Sequence, residues 1–201
     1  YSENLGCLLG EASLFLDVHG CSVIDAEIYA PQANVGGLVA KVATSSSIHA
    51  CAFSGVIEAG NRVGGVAAEI GSDEPIYDCH VNADIQGANT IGGVIGFSAR
   101  STIFNNYVEG TLTLKPSAVV GKVGGVVGEI ETDAVGTDST VVLKNCLVGV
   151  SSISVPEGKD IVAHRVAGYT SSDDFEYDWD HIDWSTSQDE WPRLYFEAEK
   201  F

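Results

Sequence analysis

Asn89-Thr90-Ile91-Gly92-Gly93-Val94-Ile95-Gly96 decides the fold, because the chain repeats it. Close copies stand at Asn34-Val35-Gly36-Gly37-Leu38-Val39-Ala40, at Asn61-Arg62-Val63-Gly64-Gly65-Val66-Ala67-Ala68 and at Lys122-Val123-Gly124-Gly125-Val126-Val127-Gly128. A worn copy, Asn4-Leu5-Gly6-Cys7-Leu8-Leu9-Gly10, comes before them. Arg165-Val166-Ala167-Gly168-Tyr169 reads as a degenerate sixth. The Gly pairs are spaced by 28, 28 and 32 residues, and the worn pair lies 30 before the first. A fixed period of this length is the mark of a solenoid.

Each unit has a second half. Cys21, Cys51 and Cys79 all fall 15 residues after the first position of their pair. Asn106 joins this column if the fourth unit is one residue short. Cys146 joins it if the fifth carries a seven-residue insertion, and we place the extra residues of this longer unit within Thr132–Thr140 and Val155–Asp160. The flanking runs alternate and are rich in Val, Ile and Thr, so they read as short strands, two or three per unit. No run before the C-terminal tail has helical periodicity. A unit of this size cannot bury its own apolar face, but stacked units can. The expected fold is therefore all-β: a parallel β-helix (β-solenoid) of five to six coils, right-handed by the general preference of parallel crossovers. Residues 1–168 form the repeat domain, and 169–201 form an acidic, aromatic C-terminal cap.

The runs Gly37-Leu38-Val39-Ala40, Gly93-Val94-Ile95-Gly96 and Gly125-Val126-Val127-Gly128, with the downstream pieces Asn105-Asn106-Tyr107 and Asn145-Cys146, resemble the GLUG motif. The resemblance covers Asn4 to Gly168. It departs at Ala40 and Ala68, where the motif favours Gly, and at Cys7. Related repeats occur in bacterial surface proteins, including adhesin-like proteins and the non-catalytic part of some IgA-cleaving metallopeptidases. The resemblance implies a secreted or cell-surface scaffold with an adhesin-like role. It brings no catalytic residues and no cofactor.

Composition narrows the partners. Ten Lys plus Arg against 28 Asp plus Glu give a net charge of −18. Nucleic acids and anionic membranes favour basic patches, so both are disfavoured. No apolar run is long enough for a membrane-spanning helix. The acidity also fits cations or basic partners, and the aromatic tail suggests a host protein or a glycan. Tyr1 opens mid-pattern, with no signal segment, so the chain reads as part of a longer one.

Several constellations invite chemistry. The five Cys contain no Cys-x-x-Cys pair, and the column that four of them share, with Cys51 and Cys79 as stacked neighbours, suits a ladder of buried free thiols. His19 and His49 share a column, but Tyr77, Phe104 and Lys144 follow, so that column offers no third metal ligand and reads as an outer aromatic ladder. His80 beside Cys79 suggests a nucleophile and base. Alternation along a strand separates such neighbours, so we expect no such pair. Glu11, Lys41, Glu69, Phe97 and Glu129 fall in one outward column with alternating charge at its start. A carboxylate pair of the kind a glycosidase needs is conceivable at Asp78 with Asp25 or Glu109. The single pair Thr111 and Thr113 lacks the coil-by-coil repetition of an ice-binding face. The loop Glu131–Asp138 is a candidate contact surface. In the tail, Trp179, Trp184 and Trp191 with Asp178, Asp180 and Asp183 form the candidate binding set. They read as cap residues, or as a platform where indole faces stack on sugar rings. The Asp178-x-Asp180-x-x-Asp183 spacing lacks the Gly and final Glu of an EF-hand. A non-catalytic adhesin-like scaffold is the expected function, and a carbohydrate-binding or carbohydrate-active β-helix is the alternative.

Overall fold

The computed structural model describes residues 3–71, 74–117, 121–131, 141–144, 146–156, 184–185 and 193–194. The described chain winds as a parallel β-solenoid with four strands per coil. The first coil holds β1 (Asn4–Gly6), β2 (Leu9–Leu14), β3 (Asp17–His19) and β4 (Ser22–Ala30). The second holds β5 (Asn34–Gly36), β6 (Val39–Thr44), β7 (Ser47–His49) and β8 (Ala52–Ala59). The third holds β9 (Arg62–Gly64), β10 (Ala67–Ile70), β11 (Glu74–Tyr77) and β12 (His80–Gly87). The fourth holds β13 (Thr90–Gly92), β14 (Ile95–Ser98), β15 (Ser101–Phe104) and β16 (Tyr107–Leu114). The fifth holds β17 (Lys122–Gly124), β18 (Val127–Ile130), β19 (Val141–Lys144), β20 (Leu147–Val148) and β21 (Ser152–Ser154). Like strands stack into four parallel walls, β1-β5-β9-β13-β17 and its three counterparts. Five rungs per wall make four turns from first to last. The expected sixth copy, Arg165–Tyr169, lies outside the described residues, as does nearly all of the expected cap. Within 169–201 the described part is β22 (Trp184–Ser185) paired antiparallel with β23 (Arg193–Leu194).

Four strands per coil correct the expected two or three. The Gly pair does not sit inside a strand; it is a corner. Asn89–Gly96 breaks into β13 and β14, and the run around Cys79 breaks into β11 and β12. Each corner has its own chemistry. A Cβ on Gly93 would lie 2.1 Å from the Gly125 carbonyl oxygen of the next coil and 2.6 Å from a Val108 methyl across the interior. Gly37 and Gly65 meet the same pair of obstacles, next-coil carbonyl and opposite-wall side chain, so only hydrogen fits at this corner. The corner before the Cys column uses a left-handed residue instead. Gly20, Ala50, Asp78 and Asn105 all have φ between 47° and 61°. Gly, Asp and Asn tolerate that region; Ala50 is the misfit.

The interior is built from whole columns. Ile28, Ile57, Ile85 and Leu112 are paired rung to rung and buried, as are Val35, Val63, Ile91 and Val123. Burying such a side chain is worth roughly 1.5–3 kcal/mol. No single coil can supply this, since each side chain is covered by the rungs above and below it. Two irregularities are local. An extra residue bulges β4 against β8 between Val23 and Ala26. The register steps from 32 residues at Phe97–Glu129 to 40 at Ser101–Val141, which puts the insertion of the fifth coil where the spacing predicts it.

Candidate functional site

The Cys column is the most regular polar feature of the interior. Cys51, Cys79, Asn106 and Cys146 are buried in successive coils, Cys21 is half-buried, and none of these four Cys is in a disulfide. Their role follows from the left-handed corner beside them. The Cys51 thiol donates to the His49 carbonyl at 3.0 Å, and the Cys79 thiol to the Tyr77 carbonyl at 3.3 Å. Each also reaches one coil back, to Val18 and Ile48. Asn106 does the same with stronger groups: its amide donates to the carbonyls of Phe104 and Ile76, both at 3.0 Å, and accepts from the Cys79 N–H at 3.0 Å. The column therefore satisfies backbone groups that the corner leaves in the interior. Burial pushes the Cys79 thiol well up from its ordinary value, the reverse of what a nucleophile needs. His80 starts β12 on the side opposite the inward Val81, Ala83 and Ile85, yet it is itself buried. Its ring stacks on Tyr107, with centroids 5.1 Å apart, and Nε2 is 3.9 Å from Glu109 Oε1.

The outer wall of β3, β7, β11 and β15 carries the expected ring ladder. His19, His49, Tyr77 and Phe104 stack in order, with centroids 5.3, 4.7 and 4.7 Å apart. Reading down that column missed a partner on the neighbouring one. Asp17 lies two positions before His19 and therefore on the same face of β3. Its Oδ1 is 3.3 Å from His49 Nε2, and its Oδ2 is 3.5 Å from His19 Nδ1. Ser47, its rung partner, donates to Oδ1 at 2.9 Å. The Ser47 hydroxyl first, and then the two imidazoles, hold the Asp17 carboxyl below its ordinary value. One ligand atom from each of Asp17, His19 and His49 falls within 4.8 Å of the others. The signal was present in the sequence as Asp17-x-His19.

On another side, the walls of β1 and β2 carry a charged lattice. Glu11, Lys41, Glu69, Phe97 and Glu129 pair in register as the spacing predicts. Lys41 Nζ is 3.7 Å from Glu69. The lattice also runs across the Gly corner, which the column reading did not reach. Asn4 to Glu11, Arg62 to Glu69 and Lys122 to Glu129 are all hydrogen bonds between residues seven apart. Arg62 further lies over the Phe97 ring, 3.8 Å from its centroid. Such half-exposed pairs contribute little each, about 0–1 kcal/mol.

Other candidates are placed as follows. Asp78 is buried at a left-handed corner of the third coil, while Asp25 is exposed at the bulge of the first, two rungs away. The geometry does not bring these two carboxyls together at a face. Glu109 approaches His80 instead. Thr111 donates to Asp84 at 2.6 Å. Trp184 has its backbone in β22, opposite Leu194. Trp179, Trp191, Asp178, Asp180 and Asp183 lie outside the described residues, as does the loop after Glu131. Among the described residues no helix is long and apolar enough to cross a membrane. The fold defines the chain as a parallel β-solenoid protein. It matches no protein-family model, no curated protein and no solved structure.

Proposed function

We propose that the chain is a non-catalytic, adhesin-like scaffold of the bacterial cell surface or the secreted space, related to the GLUG-repeat proteins. One observation carries this reading. The positions that repeat from coil to coil are all structural: the Gly corner, the thiol or amide that closes the next corner, and the apolar columns. The positions that vary face outward, as in Glu11, Lys41, Glu69, Phe97 and Glu129. A rod whose interior is fixed and whose walls vary is suited to presenting surface, and function on such a rod resides in its outer walls and loops.

The test is a binding screen with a turnover control. Immobilised 201-residue chain is offered a glycan array and a panel of extracellular host proteins, and the same preparation is incubated with acidic and neutral polysaccharides. The expected outcome is saturable binding with no release of reducing or unsaturated sugar ends. Turnover that disappears in Glu109→Gln points instead to a carbohydrate-active enzyme.

A further inference from the structure

Asp17, His19 and His49 face outward, and the apolar interior does not require them. We propose that they form a site for a divalent transition-metal ion of the zinc class. The donor set is two imidazole nitrogens and a carboxylate oxygen, which suits Zn²⁺, Cu²⁺ or Ni²⁺ and not the all-oxygen shells of Ca²⁺ or Mg²⁺. The spacing also fits. Ligands about 2.0–2.1 Å from a tetrahedral zinc lie roughly 3.3 Å from one another. The carboxylate-to-imidazole separations are 3.3 Å from Oδ1 and 3.5 Å from Oδ2, and one ligand atom of each residue lies within 4.8 Å of the others, so small side-chain shifts bring all three onto one ion.

The scaffold brings these groups together, and the His19 and His49 rings, stacked 5.3 Å apart, need only turn to aim both nitrogens at one ion. Asp17 and His19 alternate on one short strand, and His49 is the rung partner of His19. Tyr77 stacks on the other side of the His49 ring at 4.7 Å. Ser47 donates to Asp17 Oδ1 and orients the carboxylate, the second layer that metal-binding carboxylates commonly have. The Asp17 and His19 side chains are 60% and 63% exposed, which leaves a fourth position open to water. The ion joins β3 of the first coil to β7 of the second, so it clips the least-covered coil onto the stack.

Isothermal titration of chelator-stripped protein with ZnCl₂ near neutral pH tests this. One saturable equivalent is expected. Its affinity should fall at least tenfold in each of Asp17→Asn, His19→Gln and His49→Gln, in line with the loss of a ligand. His181→Gln and Cys7→Ser should keep it, which separates this site from the acidic tail and the exposed thiol. In the unsubstituted chain, imidazole NMR signals of His19 and His49 should move together to saturation while His80 stays still, so the test does not depend on the variants folding. No saturable uptake up to about 1 mM Zn²⁺ overturns the proposal, because that corresponds to only about 4 kcal/mol of binding. Uptake that survives all three variants, or that leaves the His19 and His49 signals unmoved, overturns it as well.

Discussion

Leu8 and Leu38 are the same residue at the same station of successive coils, yet Leu38 has no exposed surface and Leu8 is 39% exposed. The difference runs through the first coil. Leu5 is 43% exposed where its rung partner Val35 is fully covered. Leu9 is 38% exposed where its rung partner Val39 is fully covered, while Ala12, Val18 and Ile28 stay inside. The two coils share the same four-strand course, although the first carries Cys7 at the Gly corner and a bulge in β4. What differs is that, among the described residues, the second coil has a rung on each side and the first has one. In this fold the core is a property of the stack and not of the repeat.

Substitutions at matched stations should break or sharpen that contrast. The largest effect is expected at the Gly corner. Gly93→Ala drives a methyl into the Gly125 carbonyl and Val108, and we expect a loss of more than about 4 kcal/mol in urea unfolding. The first coil holds Cys7 at this station with its side chain exposed, so Cys7→Gly should change stability by less than about 0.5 kcal/mol. Next come the paired leucines. Leu38→Ala should cost about 2–5 kcal/mol, and Leu8→Ala about 1 kcal/mol or less, by the same assay. Equal costs would falsify the view that coverage comes from neighbours.

Asn106→Ala leaves the Cys79 N–H and the Ile76 and Phe104 carbonyls without their amide partner. A loss of about 1–3 kcal/mol is expected, with partial recovery in Asn106→Cys, the residue this column holds elsewhere. The smallest effects belong to the left-handed corner. Ala50→Gly should stabilise by up to about 1 kcal/mol by relieving its positive φ. Gly20→Ala should destabilise by a similar amount, through backbone strain alone, since a Cβ there meets nothing within 4 Å. Thermal melts of the two variants, read side by side, check the opposite signs.

The columns were legible in the sequence because a solenoid writes its contacts as a period. The Cys51, Cys79, Asn106 and Cys146 column, the insertion in the fifth coil and the Glu11–Lys41–Glu69 ladder all follow from matching one copy to the next. What the period does not encode is the bend of the chain within a coil. A Gly pair inside an apolar run looks like a weakened strand, and only the approach of the Gly125 carbonyl to Gly93 shows why it must be a corner. The same gap hid lateral contacts. Arg62 with Glu69 crosses that corner, and Asp17 with His49 crosses from one column to another, so neither is visible when columns are read singly. For Asp17 the alternation of a three-residue strand was enough to place it beside His19.

Hydrogen exchange on the metal-free 201-residue chain, resolved by peptide and mass spectrometry, tests the dependence on neighbours most directly. Strand amides in β5–β16, which have a rung on each side, should exchange only through opening of the stack, with protection close to the global unfolding free energy. Those in β1–β4, which pair on one side only, should exchange at least tenfold faster. Equal protection across β1–β16 would contradict the account, because it would mean that a coil holds its own core.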